Sequence, residues 1–154
     1  MTDDIHAYEH WLKKRHKTTH TESYYLKLSQ RQKSILKQLK QAGDTLEFAK
    51  SHIRVQDIVR FAATENVEFS LFTKGNRRIV VRGYYNETPI GHILKKLIDE
   101  KWKLSAHTHP GMLENTLKAS PNDARFLLAL GQKQSVVLNQ AGRYKRFNVS
   151  GVDL

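Results

Sequence analysis

The chain has 154 residues, of which 39% are hydrophobic and 27% are charged, and this suits one compact domain better than two. It contains no cysteine, which excludes disulfide bonds, a thiolate nucleophile and a cysteine-bound zinc ion. The formal net charge of +11 favours an anionic partner, whether nucleic acid, an anionic membrane surface or an acidic protein.

No segment of the sequence is typical of a membrane span or a signal peptide. A transmembrane helix needs about 18 or more consecutive apolar residues, and no window approaches that length. The first residues, MTDDIHAYEHWLKKRHK, lack both the basic start and the apolar centre of a signal peptide. We therefore expect a soluble chain.

The N-terminal third is predicted to be helical. Residues 1–20 are basic and have few apolar positions, which indicates a frayed helix or a flexible arm. From Thr21 to Ala42 the apolar residues recur at helical spacing, and Gly43 can end that helix in a left-handed conformation. A second helical region is predicted over residues 44–63, with a break near residues 52–55.

After Asn66 the pattern changes to that of strands. VEFSLFT and RRIVVRGYY are rich in β-forming residues and flank Gly75 and Asn76, which predicts a hairpin. IGHILKKLIDEKW returns to helical spacing, and WKLSAHTH is predicted to be a strand. SPNDARFLLAL begins a helix with Ser120 as N-cap and Pro121 as the first helical residue, and SVVLN and RYKRFNV form a last hairpin.

This order of elements predicts an α+β fold in which helices flank a mixed or antiparallel β-sheet. We divide the chain into a basic arm with helices over residues 1–64 and a core over residues 65–154, which together form one compact domain. The positive charge is spread along the whole chain, which weakens the case for one dedicated nucleic-acid face.

The strand that precedes Pro110 carries the clearest chemical signal. Residues two apart in a strand point to the same side, so His107 and His109 present both imidazoles on one face. A catalytic zinc ion uses three protein ligands and leaves one position open, and Asp123 is the nearest carboxylate that a loop can bring to the histidines. The pattern predicts a zinc site with His107, His109 and Asp123 as its ligands.

Such a site needs two further groups to hydrolyse a bond. Zinc lowers the pKa of water to about 7, and a carboxylate that does not bind the metal can take and return the proton. That general base must come from another part of the chain. Ser120 can donate a hydrogen bond to a developing oxyanion.

HTHPG followed by SPND resembles the core motif of the JAMM (JAB/MPN) metalloprotease family, in which a distant glutamate precedes His-x-His-Pro and Ser-x-x-Asp. Across residues 65–150 the chain is most similar to the JAB-type domains of bacterial polymorphic toxins. The family's glutamate begins the first strand of a hairpin upstream of the histidines. Glu68 matches that place, 39 residues before His107, whereas Glu87 lies in a turn-like segment and matches it less well.

This resemblance implies a cytidine-deaminase-like fold of the JAB/MPN type and a zinc-dependent peptidase or isopeptidase activity. His107, His109 and Asp123 would bind the zinc ion, Glu68 would be the general base, and Ser120 would bind the oxyanion or the water. The substrate would be a protein or peptide, ubiquitin-like tails included. A toxin or effector domain of this kind would be secreted or delivered into the cytosol of a target cell, with an acidic immunity protein as its partner.

One departure from the family concerns the loop between the second histidine and the serine. The family usually has seven residues there, and PGMLENTLKA makes ten. The simplest interpretation is an enlarged loop, which still reaches the site because ten residues span far more than the required distance. Glu114 is the nearest rival ligand if Asp123 does not point inward.

The same residues allow other interpretations. Ser120 and Asp123 also make a good N-cap and first-turn carboxylate, which need no metal. HAYEH, from His6 to His10, matches the inverted zincin pattern but has no evident apolar helix to hold it. The alternative function is a non-catalytic basic module on the same fold that binds nucleic acid or an acidic protein.

Overall fold

The computed structural model describes residues 2–18 and 28–150. In this part of the chain, five helices flank a sheet: α1 (Thr2–Thr18), α2 (Gln30–Gln38), α3 (Val55–Glu65), α4 (Leu94–Asp99) and α5 (Pro121–Leu130). Two short 3₁₀ turns occupy Lys50–His52 and Glu114–Leu117. Among the described helices, none combines the length and the apolar character that crossing a bilayer requires.

The strands of the described residues form one six-stranded sheet: β1 (Thr45–Ala49), β2 (Phe69–Lys74), β3 (Arg77–Arg82), β4 (Lys103–Thr108), β5 (Gln134–Leu138) and β6 (Tyr144–Asn148). Their order across the sheet is β1-β3-β2-β4-β5-β6. Neighbouring strands are antiparallel except β4 and β5, which are parallel. The predicted α+β class, with a mixed sheet flanked by helices, is therefore confirmed.

Helices cover both faces of the sheet. The core that joins α1, α2 and α3 to the sheet includes the buried residues Tyr8, Ile35, Phe61, Leu71 and Ala106. The core that joins α4 and α5 to the sheet includes Phe72, Leu97, Leu104 and Leu127. Leu71 and Phe72 are neighbours in β2 and belong to different cores, so the two cores lie on opposite faces of the sheet.

Several local predictions are confirmed. The strands β2 and β3 form the predicted hairpin, because Lys74 pairs with Arg77 across a two-residue turn that contains Gly75. The strands β5 and β6 form the last hairpin. The helix α5 begins after the N-cap Ser120, and Gly131 ends it with a φ of +67°. Short-range signals, namely turn residues and capping residues, were sufficient for these elements.

Of the two alternatives predicted for residues 1–20, a frayed helix or a flexible arm, the described part of the segment adopts a helix. Residues 2–18 form the helix α1, and Ile5 and Tyr8 of this helix are buried in the core. The hydroxyl of Tyr8 donates a hydrogen bond to the carbonyl of Gly142, in the turn between β5 and β6. The few apolar residues of α1 lie on one helix face, which the many charges between them obscure in the sequence.

Residues 44–63 form only part of the predicted helical region: the predicted break near residues 52–55 is present and α3 follows it, but the residues before the break are not an α-helix. Thr45–Ala49 is an edge strand that pairs antiparallel with β3, and the helix begins only at Val55. Leu46 and Phe48 pack against the core and alternate with exposed residues, which also fits a strand. Pairing with β3, some 30 residues away in sequence, decides between the two patterns.

The other two predicted helices are shorter than expected. Of the helix predicted over Thr21–Ala42, residues 21–27 lie outside the described part of the chain, and α2 ends at Gln38. Gly43 does not end that helix but has a φ of +95° in the turn before β1. The helix predicted in IGHILKKLIDEKW is confined to α4.

A β-bulge in β4 determines which residues share a face. Leu104 and Ala106 lie opposite consecutive residues of β2, so Ser105 is an extra residue in the ladder. Ser105 and Ala106 then point to the same side, and His107 points to the same side as Leu104. The side to which Leu104 and His107 point is covered by α5 and contains the candidate site.

Candidate metal centre

The structure brings the three predicted metal ligands together. His107 is the penultimate residue of β4, His109 follows the end of that strand, and Asp123 lies in the first turn of α5. The two Nε2 atoms of the histidines are 3.2 Å apart. The Oδ2 atom of Asp123 lies 3.2 Å from Nε2 of His107 and 3.1 Å from Nε2 of His109. The three donor atoms therefore form a nearly equilateral triangle.

This triangle has the dimensions of a metal site. Zinc bonds of about 2.0–2.1 Å at tetrahedral angles separate two ligand atoms by roughly 3.3–3.4 Å. The observed distances of 3.1–3.2 Å are close to that value. Other first-row divalent ions accept the same imidazole and carboxylate donors, so the geometry fits a divalent metal without selecting zinc. In the described residues, this is the cluster of histidine and carboxylate side chains that could hold an ion.

The ring of His109 is held in the orientation that a metal requires. Its Nδ1 atom lies 2.9 Å from the carbonyl oxygen of Thr116. A carbonyl only accepts, so Nδ1 carries the proton and Nε2 presents its lone pair to the cluster. Thr116 belongs to the 3₁₀ turn within the long loop of residues 110–119. The loop of residues 110–119 thus supports one of the candidate ligands.

His107 is held by packing instead. Its side chain is 5% exposed, and its ring meets the ring of Phe147 edge-on at 5.7 Å between centroids. Its Nδ1 atom is buried without a hydrogen-bond partner. Metal-binding histidines usually donate this outer proton to a carbonyl or carboxylate, so His107 departs from that arrangement.

The carboxylate of Asp123 serves both the helix and the cluster. Its Oδ2 atom accepts a hydrogen bond of 2.8 Å from the amide of Ser120, while the Oγ of Ser120 accepts one of 3.1 Å from the amide of Asp123. Burial alone would raise the pKa of Asp123, but His107, His109 and the Ser120 amide together lower it well below its usual range. Asp123 is therefore ionised and fixed at the start of α5.

The same carboxylate affects the protonation of His109. Burial alone would lower the pKa of His109, but the hydrogen bond and charge of Asp123, and the charge of Glu68, raise it above the ordinary value. The cluster therefore favours a positive charge near its centre. A divalent cation would supply that charge in place of the proton.

Glu68 lies beside the cluster, immediately before the β2 strand. It is 7% exposed, and its backbone pairs with the chain just beyond β3 through the amide of Gly83 and the carbonyl of Tyr84. Burial raises the pKa of Glu68 above its ordinary value, although the imidazoles of the cluster act in the opposite direction. The hydroxyl of Thr88 donates a hydrogen bond of 3.2 Å to its Oε1 atom.

One cavity connects Glu68 with the cluster. It has a volume of about 280 Å³, and Glu68, His107, Ser120 and Asp123 all line it. Its apolar wall comes from Ile90, Leu104 and Phe126. The cavity gives a bound molecule access to two candidate metal ligands, His107 and Asp123, and to the buried carboxylate of Glu68 at the same time.

The rival residues considered from sequence lie elsewhere. Glu87 is exposed at the rim of the cavity and is not part of the cluster. Glu114 is exposed and forms ion pairs with Arg143 and Lys145 at 3.4 and 3.7 Å. Asp123, not Glu114, is therefore the carboxylate that joins the histidines.

The second histidine pattern, HAYEH, does not form a metal cluster in the described residues. Glu9 accepts a hydrogen bond from the hydroxyl of Tyr144 and lies 3.1 Å from Nδ1 of His6. Contrary to the expectation from the sequence, α1 has an apolar face that packs against the core and holds the HAYEH segment in place. The carboxylate of Glu9 is used to attach that helix to β6.

Two supporting groups were missed in the sequence. Thr116 orients His109 through its backbone carbonyl, and a backbone carbonyl cannot be recognised from the residue type because every residue has one. Thr88 acts through its hydroxyl on Glu68, and it follows Glu87 in a segment that the sequence indicates only as a turn.

Comparisons of this chain with protein-family models, with curated proteins and with solved structures find no match.

Proposed function

We propose that this chain is a zinc-dependent peptidase or isopeptidase of the JAMM type. The observation that carries the proposal is the triangle of His107, His109 and Asp123, which shares one cavity with the buried carboxylate of Glu68. The JAB/MPN type of the α+β fold is part of the proposal. It rests on the order of the motif along the chain and on the strand and helix positions that its residues occupy.

The proposed mechanism assigns metal binding and proton transfer to different residues. Zinc held by His107, His109 and Asp123 would lower the pKa of water and polarise the carbonyl of the scissile bond. Glu68 takes a proton from water as the water oxygen bonds to the carbonyl carbon, and returns it to the leaving nitrogen as the C–N bond breaks. Burial suits Glu68 to this exchange, because a raised pKa lies nearer to neutral pH.

Ser120 has the oxyanion role in this proposal. Its Oγ accepts a hydrogen bond from the amide of Asp123, which leaves the hydroxyl proton available for a second partner. Ser120 lines the cavity together with Glu68. A hydroxyl donor fixed by a helix cap needs little reorganisation when negative charge develops on a carbonyl oxygen.

The biological setting is proposed from the resemblance to toxin JAB-type domains. In that setting the chain is an effector domain that cleaves protein tails in a target cell, and an acidic immunity protein inhibits it. The net charge of +11 supports attraction to an acidic partner, because opposite charges accelerate association.

The metal is tested first, by elemental analysis of protein purified without a histidine tag. The wild type is expected to contain about one zinc ion per chain, and His107→Ala/His109→Ala is expected to contain almost none. His52→Ala is the matched control, because His52 is exposed and distant from the cluster. Equal metal content in the double variant and the wild type would overturn the site.

The activity is tested on a peptide library and on lysine-linked ubiquitin conjugates, with new termini identified by mass spectrometry. Cleavage should be lost in Glu68→Gln, which keeps the shape of the side chain, and on addition of a chelator. Glu87→Gln makes the same change at the rim of the cavity and should retain most of the activity. Cleavage that persists in Glu68→Gln, or in chelator, would contradict the proposed mechanism.

A further inference from the structure

A basic groove lies on the opposite face of the sheet from the metal cavity. Two adjoining cavities of about 510 and 530 Å³ form this groove, and both are lined by Trp11, Arg54 and Gln56. Their walls come mainly from α1, α2 and α3, the helices that cover the first core. The groove and the metal cavity share no lining residue.

Among the described residues, the first cavity of the basic groove is lined by four lysine and arginine side chains and by no carboxylate: Lys14, Lys50, Arg54 and Arg78. These residues come from α1, from the 3₁₀ turn and the residues after it, and from β3, so they are far apart in sequence. The guanidinium of Arg78 is buried and donates a hydrogen bond of 2.7 Å to the carbonyl of Ile53. The fold therefore concentrates positive charge that the sequence spreads along the chain.

The second cavity adds Arg31 and Arg60, and Asp57 is its acidic lining residue. The Asp57 carboxylate is only 2% exposed and its oxygens are occupied. Oδ1 accepts hydrogen bonds from Arg31 and Gln32 at 2.7 and 2.8 Å, and Oδ2 accepts one of 2.8 Å from the amide of Arg54. The charge of Asp57 is therefore compensated by Arg31, and Arg54 and Arg60 leave the groove positive.

An aromatic side chain lies where the two cavities meet. The indole of Trp11 is half-buried and lines both of them. One side of the indole stacks on Tyr8, with the ring centroids 5.8 Å apart and the planes 26° from parallel. Tyr8 is fully buried in the core, so Trp11 rests on a fixed support. Such a ring among arginines and lysines can stack with a planar group of an anionic ligand.

We propose that the basic groove binds single-stranded nucleic acid, with its lysine and arginine side chains on the phosphates and Trp11 against a base. Cations at both ends of the groove suit a backbone with regularly spaced phosphates. A duplex keeps its bases stacked inside, whereas a single strand exposes them to the indole. An acidic protein would use the charge but has no nucleic-acid base to stack on the indole. The proposal does not depend on the metal centre.

The charge is tested by fluorescence anisotropy with a labelled oligothymidylate of about twelve nucleotides, in the presence of EDTA. Lys50→Glu/Arg54→Glu should weaken binding by about tenfold or more and lower the slope of log K against log salt by roughly 1.4, about 0.7 for each lost phosphate contact. The matched control, Lys118→Glu/Lys133→Glu, makes the same change in net charge at exposed residues that flank α5. Equal losses in the two variants would overturn the proposal, because binding would then follow net charge alone.

The indole is tested separately, and this test does not depend on the stability of the charge variants. In Trp102→Phe, which removes the only other tryptophan of the sequence, the fluorescence of Trp11 should be quenched when oligothymidylate binds. Polyglutamate of matched charge should bind more weakly and leave the fluorescence unchanged. Unquenched fluorescence on oligothymidylate, or polyglutamate that binds as tightly, would overturn the proposal and assign the groove to an acidic protein.

Discussion

The Nδ1 atom of His109 donates a 2.9 Å hydrogen bond to the carbonyl of Thr116, and this bond decides which nitrogen faces Asp123 and the candidate metal centre. The orientation of a candidate ligand thus depends on a loop backbone seven residues further along the chain. Outer partners of this kind matter for affinity, because they fix the tautomer and the angle of the ring. The loop itself is therefore open to mutational test.

Gly111 provides a way to disturb this loop without touching a ligand. Its φ is +93°, and a Cβ atom there would lie 2.9 Å from Cγ2 of Thr116. Gly111→Ala should shift Thr116 and lower the affinity for zinc by about tenfold in a competition titration with a chromogenic chelator. Gly131→Ala is the control, because Gly131 also has a positive φ but no atom close to the added methyl. Similar affinities in the two variants would mean that the loop does not support His109.

Asp123→Asn should weaken zinc binding while preserving the shape of the side chain. The substitution replaces a charged ligand with a neutral one, so we expect a loss of affinity of about tenfold or more. Asp99→Asn makes the same charge change on the exposed side of α4 and should bind zinc like the wild type. Isothermal titration of the metal-free proteins with zinc measures the difference. An unchanged affinity in Asp123→Asn would exclude this carboxylate as a ligand.

Stability should depend on pH in opposite ways with and without zinc. In the metal-free protein the pKa of His109 is raised, so its contribution is fully present below about pH 6.5 and is lost as the pH rises through the folded-state pKa. The pKa of Asp123 is lowered, so its contribution is present above about pH 4 and is lost as the pH falls. These two groups therefore stabilise the metal-free chain most in mildly acidic solution.

Zinc reverses the dependence at neutral pH because it competes with protons for the imidazoles. The increase in Tm caused by zinc, measured against a sample in EDTA, should be small near pH 5.5 and larger near pH 8. Differential scanning fluorimetry at both values measures it. An increase that is the same at both pH values would contradict imidazole ligation.

Gly83→Ala should impair catalysis without affecting the metal. A Cβ atom at Gly83 would lie 2.5 Å from Oγ1 of Thr88 and 2.6 Å from the carbonyl oxygen of Glu87, so this segment must move away. Glu68 would then lose the hydroxyl that positions it, and kcat/KM should fall by roughly tenfold or more. Gly91→Ala, where the added methyl meets no neighbour, is the control. Zinc affinity should be the same in both variants, and equal kcat/KM values would contradict the positioning role.

The parts of the fold that were predictable depend on contacts within a few residues. The hairpin around Gly75 and the helix after Ser120 carry turn and capping residues, so the sequence alone indicates both elements. β1 was predicted as helix because its pairing with β3 is a long-range contact that its own residues do not specify. The bulge at Ser105 is equally non-local, since it exists only relative to β2.

The candidate site divides in the same way. His107, His109 and Asp123 were predicted because side chains with metal-binding chemistry recur at short, interpretable spacings. The carbonyl of Thr116 could not be predicted, because every residue has one and only the folded loop directs it. The basic groove was missed for a related reason, since its charges come from separate segments and look dispersed in the sequence.

The bulge at Ser105 also has a consequence for how sites of this kind can be recognised. Removing either Ser105 or Ala106 would restore regular alternation in β4 and would still leave His107 on the same side as Leu104. A chain one residue shorter here would thus present the same imidazole at a slightly different angle to α5. The number of residues between Glu68 and His107 can therefore vary, whereas the spatial arrangement of the site must stay the same. Patterns that fix this interval to a single number would pass over chains that build the same centre.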